Sequence, residues 1–123
     1  MGISDTASDK HEAVIAREYA EALVGMLRRV AAHFPDHAER TMTRPMAQYA
    51  GILAEKLGVG LPDHVDGLDR LALSEALHAL QHLGCYLERA KHAAVLSPTR
   101  HALVLELHVV TTREVTLLLR SVS

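Results

Sequence analysis

Residues 75–92 read EALHALQHLGCYLERAKH and hold three of the chain's nine histidines. Glu75, His78, His82, Arg89 and His92 recur at spacings of three, four and seven, so a helix puts them on one stripe. Imidazoles and a carboxylate in that pattern suit a metal site or acid/base chemistry, provided that they converge on one point. A metal site in a helical bundle takes Glu-x-x-His from two helices and a lone Glu from each of two more, all facing inward. Glu75-Ala-Leu-His78 supplies one such motif and the chain has no second. The zincin motif His-Glu-x-x-His is missing as well. Leu73, Leu77, Leu80 and Leu87 form an apolar stripe on the opposite side, which turns the histidines outward. The stripe is therefore expected to be a solvated or partner-facing helix surface, with no metal, no cofactor and no catalytic residue.

The remaining chemistry is thin. Cys85 is the single cysteine, which excludes an internal disulfide and a cysteine-based zinc knuckle. One helix does not give it the geometry of a nucleophilic pair with His82 or His92, and an inert thiol is expected. GVGLP lacks the Lys-Ser/Thr of a phosphate loop, and DHVDGLD lacks the last glutamate of a calcium loop.

The elements that must carry these residues read as helices. In a chain of 123 residues, 49% are hydrophobic and only Phe34 and three tyrosines are aromatic, so an aliphatic core in a single domain is expected. Residues 1–8 have no period and are expected to be a frayed or disordered tail; residues 9–123 are expected to form the domain. From Asp9 to Phe34 the stripe Ile15, Tyr19, Ala22, Met26, Val30, Phe34 predicts a first helix, stopped by Pro35. Thr41 or Thr43 can cap a second, with Pro45 in its first turn, the stripe Met42, Met46, Tyr49, Leu53, Leu57, and Gly58 closing it. GVGLPDHVDG is a loop. The third helix runs from about Leu68 to His92, its apolar stripe broadened by Ala76, Leu83 and Gly84. Ser97-Pro98 starts a fourth, reaching about Arg120. There HVVTTREVTLLL (residues 108–119) is rich in β-branched residues, and a short strand is the rival reading. Four helices on short connections predict an all-α, antiparallel up-and-down four-helix bundle.

No apolar run approaches the ~20 residues of a membrane span and no signal peptide is read, so a cytoplasmic protein without a membrane partner is expected. MGISDT fits the loose myristoylation pattern, but nothing basic follows to reinforce an anchor. The net charge is −2, with no basic stripe of the kind that declares nucleic acid. The charge is nevertheless uneven. Arg28 and Arg29 at the end of the first helix, Arg40 and Arg44 at the start of the second, and Arg89, Lys91 and Arg100 between the third and fourth would meet at one pole of an up-and-down bundle. Arg113 and Arg120 complete the candidate binding set for nucleic acid or an acidic partner. His33, His37, His92 and His101 are expected to join the pole and to add charge below about pH 6.5.

Two resemblances bear on function. AQYAGILAEKLGVG, then LHALQHLG and LSP, looks like the helical core of HD-type phosphohydrolases, where a His-Asp doublet binds the metals that activate water. Here the doublet position reads His78-Ala79, and Met42 stands at the upstream ligand, which implies a degenerate, non-catalytic copy. A second resemblance spans about residues 15–122. HFPDHAERTM is similar to the Phe-Pro, basic, Thr-Leu connection of a small four-helix-bundle family. That family holds the accessory variability determinants of diversity-generating retroelements and the proteins encoded in intervening sequences of ribosomal RNA. LQHLGCYL stands at its Arg-rich Leu repeat, VLSP at its Ser/Thr-Pro start of the fourth helix, and TREVTLLLR at its Gly-Arg-x-x-Gly-x-Trp ending. Thr112-Arg113 and Leu119 replace the glycines and the Trp, and only Arg113 and Arg120 of that ending survive. The resemblance implies a non-enzymatic accessory subunit that binds a reverse transcriptase and its RNA or cDNA in mutagenic retrohoming. It also implies a homo-oligomer, a ring of five in that family. A degenerate HD-type domain and a helical protein-interaction module without nucleic acid are the alternatives.

Overall fold

The computed structural model describes residues 2–60 and 69–122, with side chains from His11 to Gly60 and from Asp69 to Val122. Four helices follow in order: α1 (Gly2–Ala31), α2 (Arg44–Leu57), α3 (Arg70–His92) and α4 (Pro98–Ser121). Each helix packs on its neighbours in sequence, and α4 closes the ring on α1. This is the expected up-and-down bundle. No strand occurs among the described residues, and 108–119 are helical throughout. Packing along a helix that starts from a firm cap outweighs the β-branched composition there, because propensity is a weak prior.

The terminators act as their chemistry predicts. α1 ends before Pro35, whose ψ of 156° is extended. Gly58 closes α2 with φ 69°, and the Val59 amide reaches back to the Ala54 carbonyl at 2.9 Å. A left-handed residue at that point lets the chain satisfy carbonyls left over at the helix end. Ser97 caps α4 by accepting from the Arg100 amide at 3.2 Å, and Pro98 follows in the first turn. Asp69 caps α3 in the same way, accepting from the Ala72 amide at 2.8 Å.

Three expectations are revised. Neither Thr41 nor Thr43 caps α2. A 3-10 turn (Asp36–Ala38) runs into a π turn (Glu39–Thr43) and then directly into α2, and Thr43 has helical angles with no capping bond. With the backbone already helical, the first amides of α2 find carbonyls in the π turn, and a side-chain cap has nothing to do. α1 begins at Gly2, ahead of the expected start at Asp9. The stripe of α1 is also rotated. Ala13, Ala16, Ala20, Leu23, Val24, Leu27 and Val30 are buried, whereas Tyr19 and Ala22 are exposed and Ile15, Met26 and Phe34 are half-buried. Small alanines let the other helices approach closely, and the larger side chains stand at the rim. Residues 61–67 of the expected loop GVGLPDHVDG, and Leu68 at the expected start of α3, lie outside the described residues.

The core is aliphatic. Leu23, Leu27, Met46, Leu53, Leu57, Leu73, Leu80, Leu83, Leu87, Val104 and Val115 are fully buried. At the α3–α4 seam, the His108 ring lies against Gly84, where an added Cβ would come within 3.2 Å of it. His108 Nε2–H donates to the Leu80 carbonyl at 2.6 Å.

Candidate functional site

The outer face of α3 is where the histidine stripe emerges. His78, His82, Arg89 and His92 are exposed and Glu75 is half-buried. The stripe is more organised than a solvated row. His82 stacks flat on Tyr49 of α2, with ring centroids 4.3 Å apart and an interplanar angle of 7°. Tyr86 tilts against the same tyrosine at 6.0 Å, and the Arg89 guanidinium covers the Tyr86 ring at 5.2 Å. At the other end Lys56 Nζ meets Glu75 at 2.7 Å. That hydrogen bond, reinforced by the charge attraction, holds the Lys56 ammonium above its ordinary value of 10.5. Tyr49, Lys56, Glu75, His78 and His82 border a groove of about 410 Å³ between α2 and α3. Among the described residues, no three His, Cys, Asp or Glu side chains are grouped to hold a metal ion. Ala79, at the position of the HD doublet's acid, is buried in the core. Cys85 is a free, exposed thiol.

The basic pole is the second feature. α1 ends, α2 begins, α3 ends and α4 begins at one end of the bundle, so Arg28, Arg29, Arg40, Arg44, Arg89, Lys91 and Arg100 gather there, all exposed. Adjacent on α1, the first two diverge. Arg28 borders the seam with α2 beside Met46 and Ala50. Arg29 turns towards α4, where with His33 and Arg100 it edges a groove of about 240 Å³ floored by Met26, Val30, Leu103 and Val104. Arg44 faces Glu39 loosely, at 3.8 Å. Arg113 and Arg120 do not join the pole. They stand 13 and 20 residues beyond Arg100 on α4, about 20 and 30 Å down the bundle, and Arg113 has Glu114 at 3.7 Å.

The histidines of the pole divide. His33, His37 and His92 are exposed as expected. His101 is not on the surface: it is buried, and its Nε2 sits 3.0 Å from Glu88 of α3. It ties the end of α3 to the start of α4 and orients a carboxylate that also faces His92 at 3.8 Å. Its place in sequence, three residues after Pro98, carries no signal that it would turn inward. The pairings of Tyr49 with His82 and of Lys56 with Glu75 are likewise invisible in sequence, since each joins two helices. Compared with family models, curated proteins and solved structures, the chain finds no match.

Proposed function

We propose that this chain is a non-enzymatic, homo-oligomeric accessory subunit that engages RNA or cDNA through its basic pole, in company with a reverse transcriptase. The observation that carries the reading is a separation of charge along the bundle. Among the described side chains, seven of 12 Lys and Arg lie at the pole, against three of 11 carboxylates (Asp36, Glu39 and Glu88). The other described side chains hold five cations and eight carboxylates. A local positive field of that kind draws a polyanion to one end and repels it from the other, whatever the net charge. Neutralising phosphates releases condensed counterions, which makes such binding dependent on salt. The resemblance to the variability determinants supplies the partner and the ring of five, and the four-helix fold agrees with it.

Titration of a fluorescent single-stranded RNA over a range of salt concentrations tests the reading. Each engaged arginine contributes about 0.7 unit to the slope of log affinity against log salt on a single strand. Replacing Arg40, Arg44, Arg89 and Arg100 together by Ala is expected to weaken binding and to flatten the slope by roughly three units. Absence of binding at low salt, or a slope untouched by the four changes, refutes the pole as the site and leaves the protein-interaction module as the better reading.

A further inference from the structure

The outer face of α4 is unlike the outer faces of the other helices. Of the six large hydrophobic side chains most exposed among the described residues, Leu103, Val109 and Leu117 lie on α4 and Val122 at its end. A helix that is apolar all round is ordinarily covered on every side. Here α1 and α3 cover only the faces of Val104, Thr111, Val115 and Leu118. On the uncovered face, Leu103, Glu106, Val110, Arg113 and Leu117 recur at steps of three and four and form one straight stripe.

The order of that stripe is self-complementary when it is reversed. We infer that the outer face of α4 docks on the same face of a second copy, antiparallel, about a two-fold axis beside Val110. In that arrangement Leu103 meets the second copy's Leu117, Val110 meets its own equivalent, and Glu106 reaches the second copy's Arg113. Symmetry makes the Leu103–Leu117 and Glu106–Arg113 contacts twice and the Val110 contact once, on the axis. Arg113 can turn outward, since its side chain is 65% exposed and its contact with Glu114 is a loose 3.7 Å. Glu106 is exposed and sits among apolar neighbours on the stripe. A lipid surface would leave Glu106 without a partner at the centre of the contact, whereas a second copy supplies one. From Leu103 to Leu117 the strip is about 21 Å long and about 10 Å wide, smaller than the interfaces of tight complexes. The dimer is therefore expected to form reversibly with concentration. The inference rests neither on nucleic-acid binding nor on the ring of five, and the contact takes in Leu103, which also floors the groove edged by Arg29, His33 and Arg100.

Sedimentation of the full chain tests it through a charge swap. Glu106→Arg alone, or Arg113→Glu alone, sets like charges opposite one another twice and is expected to weaken the dimer about tenfold or more. The double variant Glu106→Arg/Arg113→Glu restores the pairing with its signs exchanged and is expected to recover the affinity to within about threefold. A Val110→Cys change in a Cys85→Ser background is expected to give an oxidised dimer in high yield, because the two thiols meet at the axis. All the altered side chains reach the surface, so circular dichroism and thermal melting check that the fold persists. A chain that stays monomeric, an assembly indifferent to either single reversal, a double variant that fails to recover, or a Val110→Cys variant that does not cross-link overturns the inference.

Discussion

α3 and α4 are nearly equal in length, at 23 and 24 residues, yet they use their side chains in opposite ways. α3 keeps Leu73, Leu80, Leu83 and Leu87 fully buried along one side and turns Glu75, His78, His82 and Arg89 to the other. α4 buries little that is large beyond Val104, Val115 and Leu118, places His101 and Thr111 in the interior, and leaves Leu103, Val109 and Leu117 in solvent. Buried methylenes contribute to stability, and exposed ones contribute almost nothing to an isolated subunit. α3 is thus the helix on which the monomer depends, and α4 the helix with apolar surface to spare.

The sharpest way to break this contrast is to truncate a leucine on each. Leu83→Ala, at a site with no exposure, is expected to cost about 3 kcal/mol or more in a urea melt, the sum of lost transfer and a cavity. Leu117→Ala should change monomer stability by less than about 0.5 kcal/mol. Equal losses at the two sites would end the distinction.

The junction between the two helices offers the next effect. Ser97 starts α4 with a side-chain bond to the Arg100 amide, so Ser97→Ala is expected to lose about 1 kcal/mol. Thr43→Ala at the head of α2, where no such bond exists, should lose no more than a few tenths. Thermal melts of the two variants side by side make the comparison.

α3 ends at a point of local strain. Ala94 has φ 60°, in the left-handed region, and the Val95 amide returns to the Ala90 carbonyl at 3.0 Å. Gly58 adopts the same conformation at the end of α2, at no steric penalty. Ala94→Gly is therefore expected to raise stability by up to about 0.5 kcal/mol, the relief of strain exceeding the added freedom of the unfolded chain. A lowered midpoint of denaturation would show that Ala94 is not strained.

The smallest effect is electrostatic and marks the groove side of α3. Glu75 raises the value at which Lys56 loses its proton, so the folded state holds that proton more tightly than the unfolded state does. The stabilisation is fully present below 10.5 and is lost as pH rises through the raised value. A Lys56→Met variant should be slightly less stable than the parent at neutral pH, and the gap should close in strongly alkaline buffer. A gap independent of pH would assign the difference to packing of the lysine stem.

The features legible in sequence were those set by near neighbours. Pro35, Gly58 and Ser97-Pro98 fixed where helices stop and start, because a missing amide, a missing Cβ and a short hydroxyl act within one turn. The 3.6-residue period of Leu73, Leu80 and Leu87 turned the histidine stripe outward, and chain order alone sent seven of the candidate cations to one pole. The capping by Thr41 or Thr43 failed because nothing in a propensity announces a π turn that supplies the same bonds from the backbone.

Tertiary structure decided the rest. α1 offers two apolar stripes, and only the approach of α2 and α4 selected the one built on Ala13, Ala16 and Ala20 over the larger side chains of Tyr19 and Met26. His101 and His33 are the same residue type at the same pole, yet one lies inside against Glu88 and the other in solvent. His82 acquires its flat stack, and Lys56 its carboxylate, from a helix that sequence periodicity cannot orient. Periodicity reports the direction of a side chain about its own axis; what it meets there depends on how the helices are rotated and spaced, and that is set by packing volume summed over all four.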